Sequence, residues 1–459
     1  MNILIYDSDV KYSNKLLKKK INSFLFKFSG RKIYINNKFL ISFKVLKDII
    51  NSGNKNKIDF FYFFIYLPFN IIDQILKILK KKNKYFVSIR HCLLDAIERK
   101  SGDIQLKDLS NDYIYKHFLN FLLRSLKIIL ILEYLKFLID FYKIDSIYLP
   151  QLDGYPYAAI SALCKNKDLF MASVSYNLYS SKNDRGKYTI MIRKERLKER
   201  IALPEDLKKL STLSDYKLNK IIEKIKNQFL NKNDPYCPPP KSFNRDIRER
   251  QSKILKSIKD NKKKTAIVML HIFTDQSRFR LENTWLDNYL DWTYQTIEFC
   301  KINNNVNWIF KGHPNEDGYP ISKKSKNKLI NKIIESGFLY IDSKDYIVHD
   351  DIEKFAELIV TCNGSCKIEY HALFNIPVIS CVGEFIPYDT FSQPFTAKNS
   401  SEYKELILNA SNLSLTKENV RRAKEVLAFY KTIAGVDIDE ESDINYLKDF
   451  NGKELMRNF

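Results

Sequence analysis

The segment from residue 357 to residue 379 constrains the fold more than any other part of the chain. It begins with an apolar run, residues 357–361, that is too short for a helix and predicts a buried strand. Asn363-Gly364-Ser365 is typical of a turn, and residues 376–379 resume an extended run. In a parallel sheet such a turn lies at the carboxyl edge, where the next helix offers unpaired N–H groups to an anion. The segment therefore predicts a β-α-β unit that binds a phosphate or a nucleotide.

A second loop upstream has the same relation to a strand. Residues 306–311 have a buried-strand pattern and lead into Gly312-His313-Pro314-Asn315-Glu316, where the proline fixes a turn. The two loops are about 50 residues apart, which corresponds to two or three strand-helix units. We therefore expect both loops to line one cleft.

Together, the two loops resemble motifs of GT-B glycosyltransferases that build bacterial surface polysaccharides. Lys-Gly-His-Pro-Asn-Glu, followed by Thr-Cys-Asn-Gly-Ser-Cys-Lys-Ile-Glu-Tyr and Asn-Ile-Pro-Val-Ile, is similar to the C-terminal half of the Kdo- and sialic-acid-transferase group. The family usually has proline where this chain has Gly312, and glycine where it has Asn375. Asparagine tolerates the left-handed helix cap that glycine normally supplies.

The resemblance implies a fold and a donor site. The fold is α/β, with two Rossmann-like doubly wound lobes and a cleft between them. A leaving phosphate would be held by Lys311, His313 and the Gly364-Ser365 turn, because preorganised donors stabilise developing charge. Glu369 matches the carboxylate that accepts hydrogen bonds from ribose. The full set of candidate donor-binding residues is Lys311, His313, Pro314, Glu316, Asn363, Gly364, Ser365 and Glu369.

The general base is open between two places. Asp153 follows the predicted strand 146–149, at the position where sialyltransferase-like enzymes carry an aspartate base; it is equally consistent with a plain turn. His271 and Asp275 follow the strand 265–270 and form a rival acid/base pair. The alternative for that pair is a core histidine and an aspartate that caps a helix over residues 282–299.

Alternating strands and helices predict two lobes. Residues 1–202 form the acceptor-side lobe, in which we expect a strand over 59–68, a helix over 71–82 and a strand over 85–90. Residues 203–264 lack a strand signal and contain Pro238-Pro239-Pro240, which favours a stiff, helical and proline-containing linker. The nucleotide-sugar-binding lobe covers 265–432. The resemblance implies that the tail, residues 433–459, crosses back to the first lobe.

The composition of the sequence limits the kinds of binding partner that we expect. The formal net charge is +22, but the lysines are scattered through every segment and no nucleic-acid-binding module appears, so we expect no nucleic-acid partner. The seven cysteines have no paired spacing and predict reduced, buried thiols in a cytosolic protein. We expect no leader peptide, and no transmembrane helix, because the apolar windows 60–69 and 128–138 are too short or too charged to span a bilayer.

Metal and cofactor requirements are expected to be absent. Asp7-Ser8-Asp9 has the spacing of a carboxylate metal site, but a polar loop after a first strand is commonplace. The nucleotide sugar is a substrate and not a cofactor.

These observations favour a cytoplasmic, metal-independent glycosyltransferase. A CMP-sugar such as CMP-Kdo or a sialic-acid-like donor is favoured, with a cell-surface polysaccharide or a lipid-linked glycan as acceptor. Peripheral association with the cytoplasmic face of the inner membrane is left open. Two alternatives remain: a polyol-phosphate transferase of the CDP-glycerol type, and a non-catalytic GT-B-like component of a polysaccharide assembly complex.

Overall fold

Two six-stranded sheets, each packed against helices, organise the chain. The structure is a computed structural model, and it describes residues 3–7, 32–36, 43–102, 104, 116–149, 154–176, 188–193, 214–230, 263–275, 277–281, 284–314, 316, 319, 321–343, 349–364, 366–381, 394–432 and 436–437. Within these residues the predicted fold class, α/β with two Rossmann-like lobes, is confirmed. The predicted cleft between the lobes stays a prediction.

The first sheet is mostly parallel. Its strands from the first half of the chain are β1 (Ile3–Asp7), β2 (Lys32–Asn36), β3 (Ser146–Leu149), β4 (Phe170–Tyr176) and β5 (Tyr188–Arg193). Strands β2, β1, β3 and β4 lie side by side and parallel, and β5 is antiparallel to β4. The helices of this lobe are α1 (Phe43–Ile50), α2 (Asn54–Leu79), α3 (Lys84–Ser101), α4 (Phe118–Tyr142) and α5 (Tyr157–Asn166).

Two strands expected in this lobe are helical in the structure. Residues 59–68 lie inside α2, and residues 85–90 lie inside α3. Periodicity cannot separate a buried strand from a helix in a short apolar run, and here the apolar run continues past Pro68 to Leu79, which is a helical length. Helix α3 begins at a conventional cap, because the Asn83 side chain accepts a hydrogen bond from the backbone N–H of Phe86 (3.3 Å).

The second sheet is parallel throughout. Its strand order is β11-β10-β9-β6-β7-β8, so the chain runs outward from β6 in one direction and then from β9 in the other. This is the 3-2-1-4-5-6 order of Rossmann folds, whose ligands bind at the carboxyl ends of the strands where the order reverses. The strands are β6 (Lys264–Met269), β7 (Val306–Lys311), β8 (Leu339–Ile341), β9 (Leu358–Thr361), β10 (Val378–Cys381) and β11 (Thr396–Ala397).

The helices of the second half pack on both faces of this sheet. Helix α6 (Asp215–Leu230) lies within the predicted linker, yet its Leu218, Ile222 and Ile225 belong to the apolar core of the second lobe. The boundaries of the predicted domains nevertheless stay predictions. The other helices are α7 (Ser277–Arg280), α8 (Tyr289–Ile302), α9 (Lys323–Glu335), α10 (His349–Phe355), α11 (Cys366–Phe374), α12 (Ser400–Leu408) and α13 (Lys417–Thr432).

The chain then returns to the first sheet. Strand β12 (Val436–Asp437) pairs antiparallel with β5, as the resemblance implied for the tail. The lobes also touch through helices: Arg278 of α7 donates two hydrogen bonds to Glu98 of α3 (2.8 and 3.2 Å), and both side chains are almost fully buried. Beyond α3, the Gly102 carbonyl accepts a hydrogen bond from the Ser322 N–H (2.6 Å).

Candidate functional site

Three loops of the second lobe meet at the carboxyl ends of β6, β7 and β9. We call the residues they contribute the carboxyl-edge cluster; its members are His271, Asp275, Arg280, Lys311, His313 and Asn363. Strands β6 and β9 flank the point where the strand order reverses. The backbone N–H of Asn363 donates a hydrogen bond to His271 Nε2 (3.1 Å), so the structure joins two of the sequence-predicted loops directly.

Hydrogen bonds hold the His271 ring in position, and burial keeps the ring uncharged. Its Nε2 accepts from Asn363 and lies 3.2 Å from Thr361 Oγ1, which assigns the proton of the neutral ring to Nδ1. The ring stacks on Tyr289 with centroids 4.3 Å apart. Burial, followed by the neighbouring His313 and Arg280, lowers the pKa of His271 to about 3. A pKa this low poorly suits a general base near neutral pH.

His313 is also neutral at physiological pH. Burial, followed by the positive charges of Lys311 and Arg280, lowers its pKa to about 4. Lys311 is buried, and its Nζ donates to the Gly312 carbonyl (3.2 Å). The cluster therefore contains two cations, Arg280 and Lys311, against the single carboxylate of Asp275, and its two imidazoles are neutral. Its net charge is positive, which favours an anionic ligand.

Arg280 is a residue of this cluster that sequence analysis missed. Its Nη1 donates to Asp275 Oδ2 at 2.7 Å, so the Asp275 carboxylate is already in an ion pair. Any role for Asp275 as a base requires that pair to open. Asp275 does not cap helix α8 either, because that cap is Asn288, which accepts from the N–H of Asp291 (2.9 Å). The only sequence signal for Arg280 was its place in the loop after β6.

Gly312 is required by the backbone beside it. Its N–H donates to the Ile341 carbonyl (2.9 Å), and a Cβ at this position would lie 2.8 Å from the Ser343 backbone nitrogen. Proline, usual here in the resembled family, has no N–H to donate and would clash. Gly364 is tight as well, since its Cβ would lie 3.3 Å from Thr361 Oγ1. Asn375 has φ 57°, which confirms the predicted left-handed cap of α11.

The two candidate glutamates have different surroundings. Glu316 is buried, and its carboxylate lies 3.1 Å from Lys326 Nζ, so it ties the loop after β7 to helix α9. Burial raises the pKa of Glu316, although the charge of Lys326 opposes this effect. Glu369 is buried in the first turn of α11. Pro314 is partly exposed in its loop. Ser365 and Asp153 lie outside the described residues.

The Asn363 side-chain amide is buried at the carboxyl edge of the second sheet, and both of its polar atoms lack a hydrogen-bond partner among the described residues. The residue is 6% exposed, and the two atoms are Oδ1 and Nδ2. An unsatisfied buried amide destabilises a protein by about 1–3 kcal/mol and is rare in native structures. A bound group that both donates and accepts would satisfy it.

Metal binding finds no support in the described residues. No group of three or more described His, Cys, Asp or Glu side chains could hold a metal ion. The absence of a metal requirement stays a prediction. The described cysteines are free thiols, and all except the partly exposed Cys366 are buried, as predicted.

The fold and the cluster together define a two-lobed α/β protein with charged and polar side chains gathered at the carboxyl edge of its second sheet. Comparison with protein-family models finds no match, and no curated protein matches in sequence. Chains of known structure that resemble it include the UDP-GlcNAc 2-epimerase of Methanocaldococcus jannaschii, with 14% identity, TM-score 0.30, and coverage of 94% of this chain and 99% of that chain.

Two further structures are similar at the same low level. The β-Kdo 2,4 transferase KpsC of Thermosulfurimonas dismutans has 11% identity and a TM-score of 0.28, with coverage of 66% of this chain and 87% of that chain. A UDP-forming α,α-trehalose-phosphate synthase of Burkholderia vietnamiensis has 7% identity and a TM-score of 0.34, with coverage of 74% and 65%. TM-scores this low do not decide the activity, which must be inferred from the site itself.

Proposed function

We propose that this protein transfers a sugar from a nucleotide-activated donor to a glycan or lipid-linked glycan acceptor. The observation that carries the proposal is the buried, unpartnered amide of Asn363 at the strand-order reversal, beside a cluster that contains Arg280 and Lys311. A nucleoside phosphate has the anionic oxygens that the cations need and the polar groups that the amide needs. A CMP-sugar of the Kdo or sialic-acid type is the favoured donor, and growing cell-surface polysaccharide is the favoured acceptor.

The proposed chemistry needs no metal. Lys311 and Arg280 stabilise the negative charge that develops on the leaving phosphate, and one preorganised donor in such a site contributes about 3 kcal/mol. The N-terminus of α11 adds about 1 kcal/mol for a charged ligand. His313, being neutral, can donate a hydrogen bond to a phosphate oxygen from one ring nitrogen. Glu369 is the candidate acceptor for ribose hydroxyls.

Asp153 is the first candidate for the general base. Asp275 is the second, and it must first leave Arg280. The base takes the proton of the acceptor hydroxyl while that oxygen attacks the anomeric carbon and the nucleotide departs. The reaction is proposed to take place in the cytoplasm, with peripheral association of the protein with the inner membrane.

Ligand-induced thermal stabilisation tests the donor site. Wild type, Asn363→Ala and His313→Ala would be melted with CMP, CDP, UDP, GDP, their sugars and CDP-glycerol. A ligand at 100 times its dissociation constant stabilises the wild type by about 2.7 kcal/mol. Asn363→Ala should melt no lower than wild type without ligand, because it removes an unsatisfied amide, but should lose the ligand shift. Asn412→Ala, which removes an exposed amide, is the matched control.

Each other outcome has a definite meaning. A shift that survives Asn363→Ala would place the nucleotide elsewhere, and no shift with any nucleotide would overturn the proposal. A shift with CDP-glycerol alone would identify a polyol-phosphate transferase. Unchanged function after both Asp153→Asn and Asp275→Asn would identify a non-catalytic component.

A further inference from the structure

Helix α2 carries an apolar face that points away from the protein. Its exposed apolar side chains recur at intervals of three and four residues, which places them on one side of the helix. We call them the outer face of α2; its members are Ile58, Phe61, Ile65, Phe69, Ile72, Leu76 and Leu79. The exposed side chains of Tyr62 and Phe64 widen it. Within the described residues, Ile58–Leu79 is one helix whose length and composition would allow it to cross a membrane, and very little of it is buried.

The opposite side of α2 is anchored to the first lobe. Phe60 and Phe63 each pack against Phe137 of α4 with ring centroids 5.5 Å apart, and Ile78 is fully buried. The strands before and after α2 also belong to one sheet, since β1 pairs with both β2 and β3. The helix therefore lies along the surface of the lobe. If α2 crossed a bilayer, it would lose these contacts with the first lobe.

An exposed apolar face of this extent marks an interaction surface. We consider two partners for the outer face of α2: a second copy of this chain and a lipid bilayer. Lys55 and Lys57 lie in the first turn of α2, and Lys80, Lys82 and Lys84 are exposed just after its end. Two copies paired through the outer face would bring these basic ends together, in parallel or antiparallel orientation. Anionic headgroups would instead neutralise both ends.

We propose that the outer face of α2 docks on an anionic phospholipid bilayer, with the helix lying in the plane of the interface. An amphipathic helix with aromatic side chains on its apolar side and lysines at its ends has the composition of such interfacial helices. The charged and amide side chains within Ile58–Leu79 are Asp59, Asn70, Asp73, Gln74 and Lys77, and they lie on a different side from the outer face. This surface belongs to the first lobe, so the inference is independent of the proposed donor site in the second.

Vesicle co-sedimentation of the full chain tests the proposal. Binding to phosphatidylcholine vesicles would be compared with binding to vesicles that also contain phosphatidylglycerol. The test variant is Ile65→Ser/Ile72→Ser, and the matched control is Ile302→Ser/Ile334→Ser in the second lobe. All four isoleucines are exposed to a similar degree, at 46%, 60%, 58% and 57%. We expect wild type and control to bind the anionic vesicles alike, and the test variant to bind at least tenfold more weakly.

A charge variant separates the two parts of the interaction. Lys80→Gln/Lys82→Gln should bind more weakly and should show a smaller loss of binding when salt is added.

Equal melting temperatures of all variants would show that they fold. Failure of the wild type to sediment with anionic vesicles would overturn the proposal. So would a wild-type dimer, seen by analytical ultracentrifugation without lipid, that Ile65→Ser/Ile72→Ser converts to monomer. The nucleotide-induced thermal shift is measured separately and does not depend on either result.

Discussion

At the level of single residues, the charge state of the site follows from burial. Burial lowers the pKa of His271 to about 3 and that of His313 to about 4, and the nearby Arg280 acts in the same direction on both, so both rings are neutral at physiological pH. A neutral His271 can accept the Asn363 N–H, which an imidazolium could not do. Protonation would therefore break the contact between the loops after β6 and β9.

This arrangement predicts a pH-dependent stability. The unfolded chain binds protons at these histidines below about pH 6.5 and the folded chain does not, so stability is complete above that pH and falls as pH is lowered toward 4. Each histidine contributes at most about 1.4 kcal/mol per pH unit. His271→Gln keeps an acceptor for the Asn363 N–H but does not titrate. Urea unfolding at pH 7, 6 and 5 should show a smaller loss in the variant, and parallel curves would contradict the explanation.

One residue-level feature agrees with the sequence: asparagine was expected to tolerate the left-handed cap at position 375, and Asn375 has a left-handed conformation. The pairing of Asp275 with Arg280, and of Glu316 with Lys326, could not be predicted, because loop conformation decides which oppositely charged side chains meet.

At the level of elements, the strands of the second lobe followed the sequence pattern, whereas in the first lobe only part of α2 did: the helix predicted over 71–82 lies in α2 as far as Leu79, but residues 59–68 were wrongly predicted to be a strand. The strand over residues 306–311 matches β7, and the strand over residues 265–270 matches β6 to within one residue. Both have boundaries set by local composition. In α2, by contrast, both the inner and the outer faces are apolar, so the period that distinguishes a helix from a strand is hidden.

The junction of α3 and α7 is predicted to be a point of high stability. Glu98→Ala leaves Arg278 buried without its carboxylate partner, which should destabilise the protein by about 3–5 kcal/mol. Asp140→Ala removes the partner of Lys167 in an exposed pair (3.4 Å) and should change stability by about 0–1 kcal/mol. Denaturant unfolding of both variants measures the difference. Similar small losses in both would mean that the buried pair does not couple the two helices.

At the level of the whole molecule, contact between the lobes depends on a glycine beyond α3. Gly102 has φ 69°, and a Cβ there would lie 2.9 Å from the Ser322 nitrogen and 3.0 Å from the Ile321 carbonyl carbon. Gly337 also has a left-handed conformation, with φ 82°, but a Cβ there would meet nothing within 4 Å. An alanine would therefore strain the backbone at both positions, but only at Gly102 would its Cβ also collide with other residues.

This pair gives a matched prediction. Gly337→Ala should destabilise by about 1–2 kcal/mol, the effect of a left-handed alanine. Gly102→Ala should lower the free energy of unfolding by about 1–3 kcal/mol more than Gly337→Ala does, because the backbone of Ser322 cannot move easily and the added methyl group overpacks the site. Thermal unfolding of both variants tests this. Equal losses would show that the two lobes can separate at Gly102 without penalty.

The sequence by itself determined that this is an α/β chain, that its second lobe carries turns at strand ends, and that His313 and the Asn363-Gly364 turn belong to such ends. These features depend on residues close together along the chain. Only the tertiary structure decided that β6 lies between β7 and β9, that Arg280 joins the cluster, and that the outer face of α2 is left uncovered. Those outcomes depend on which distant segments pack together, and hydrophobic patterning alone does not specify that choice.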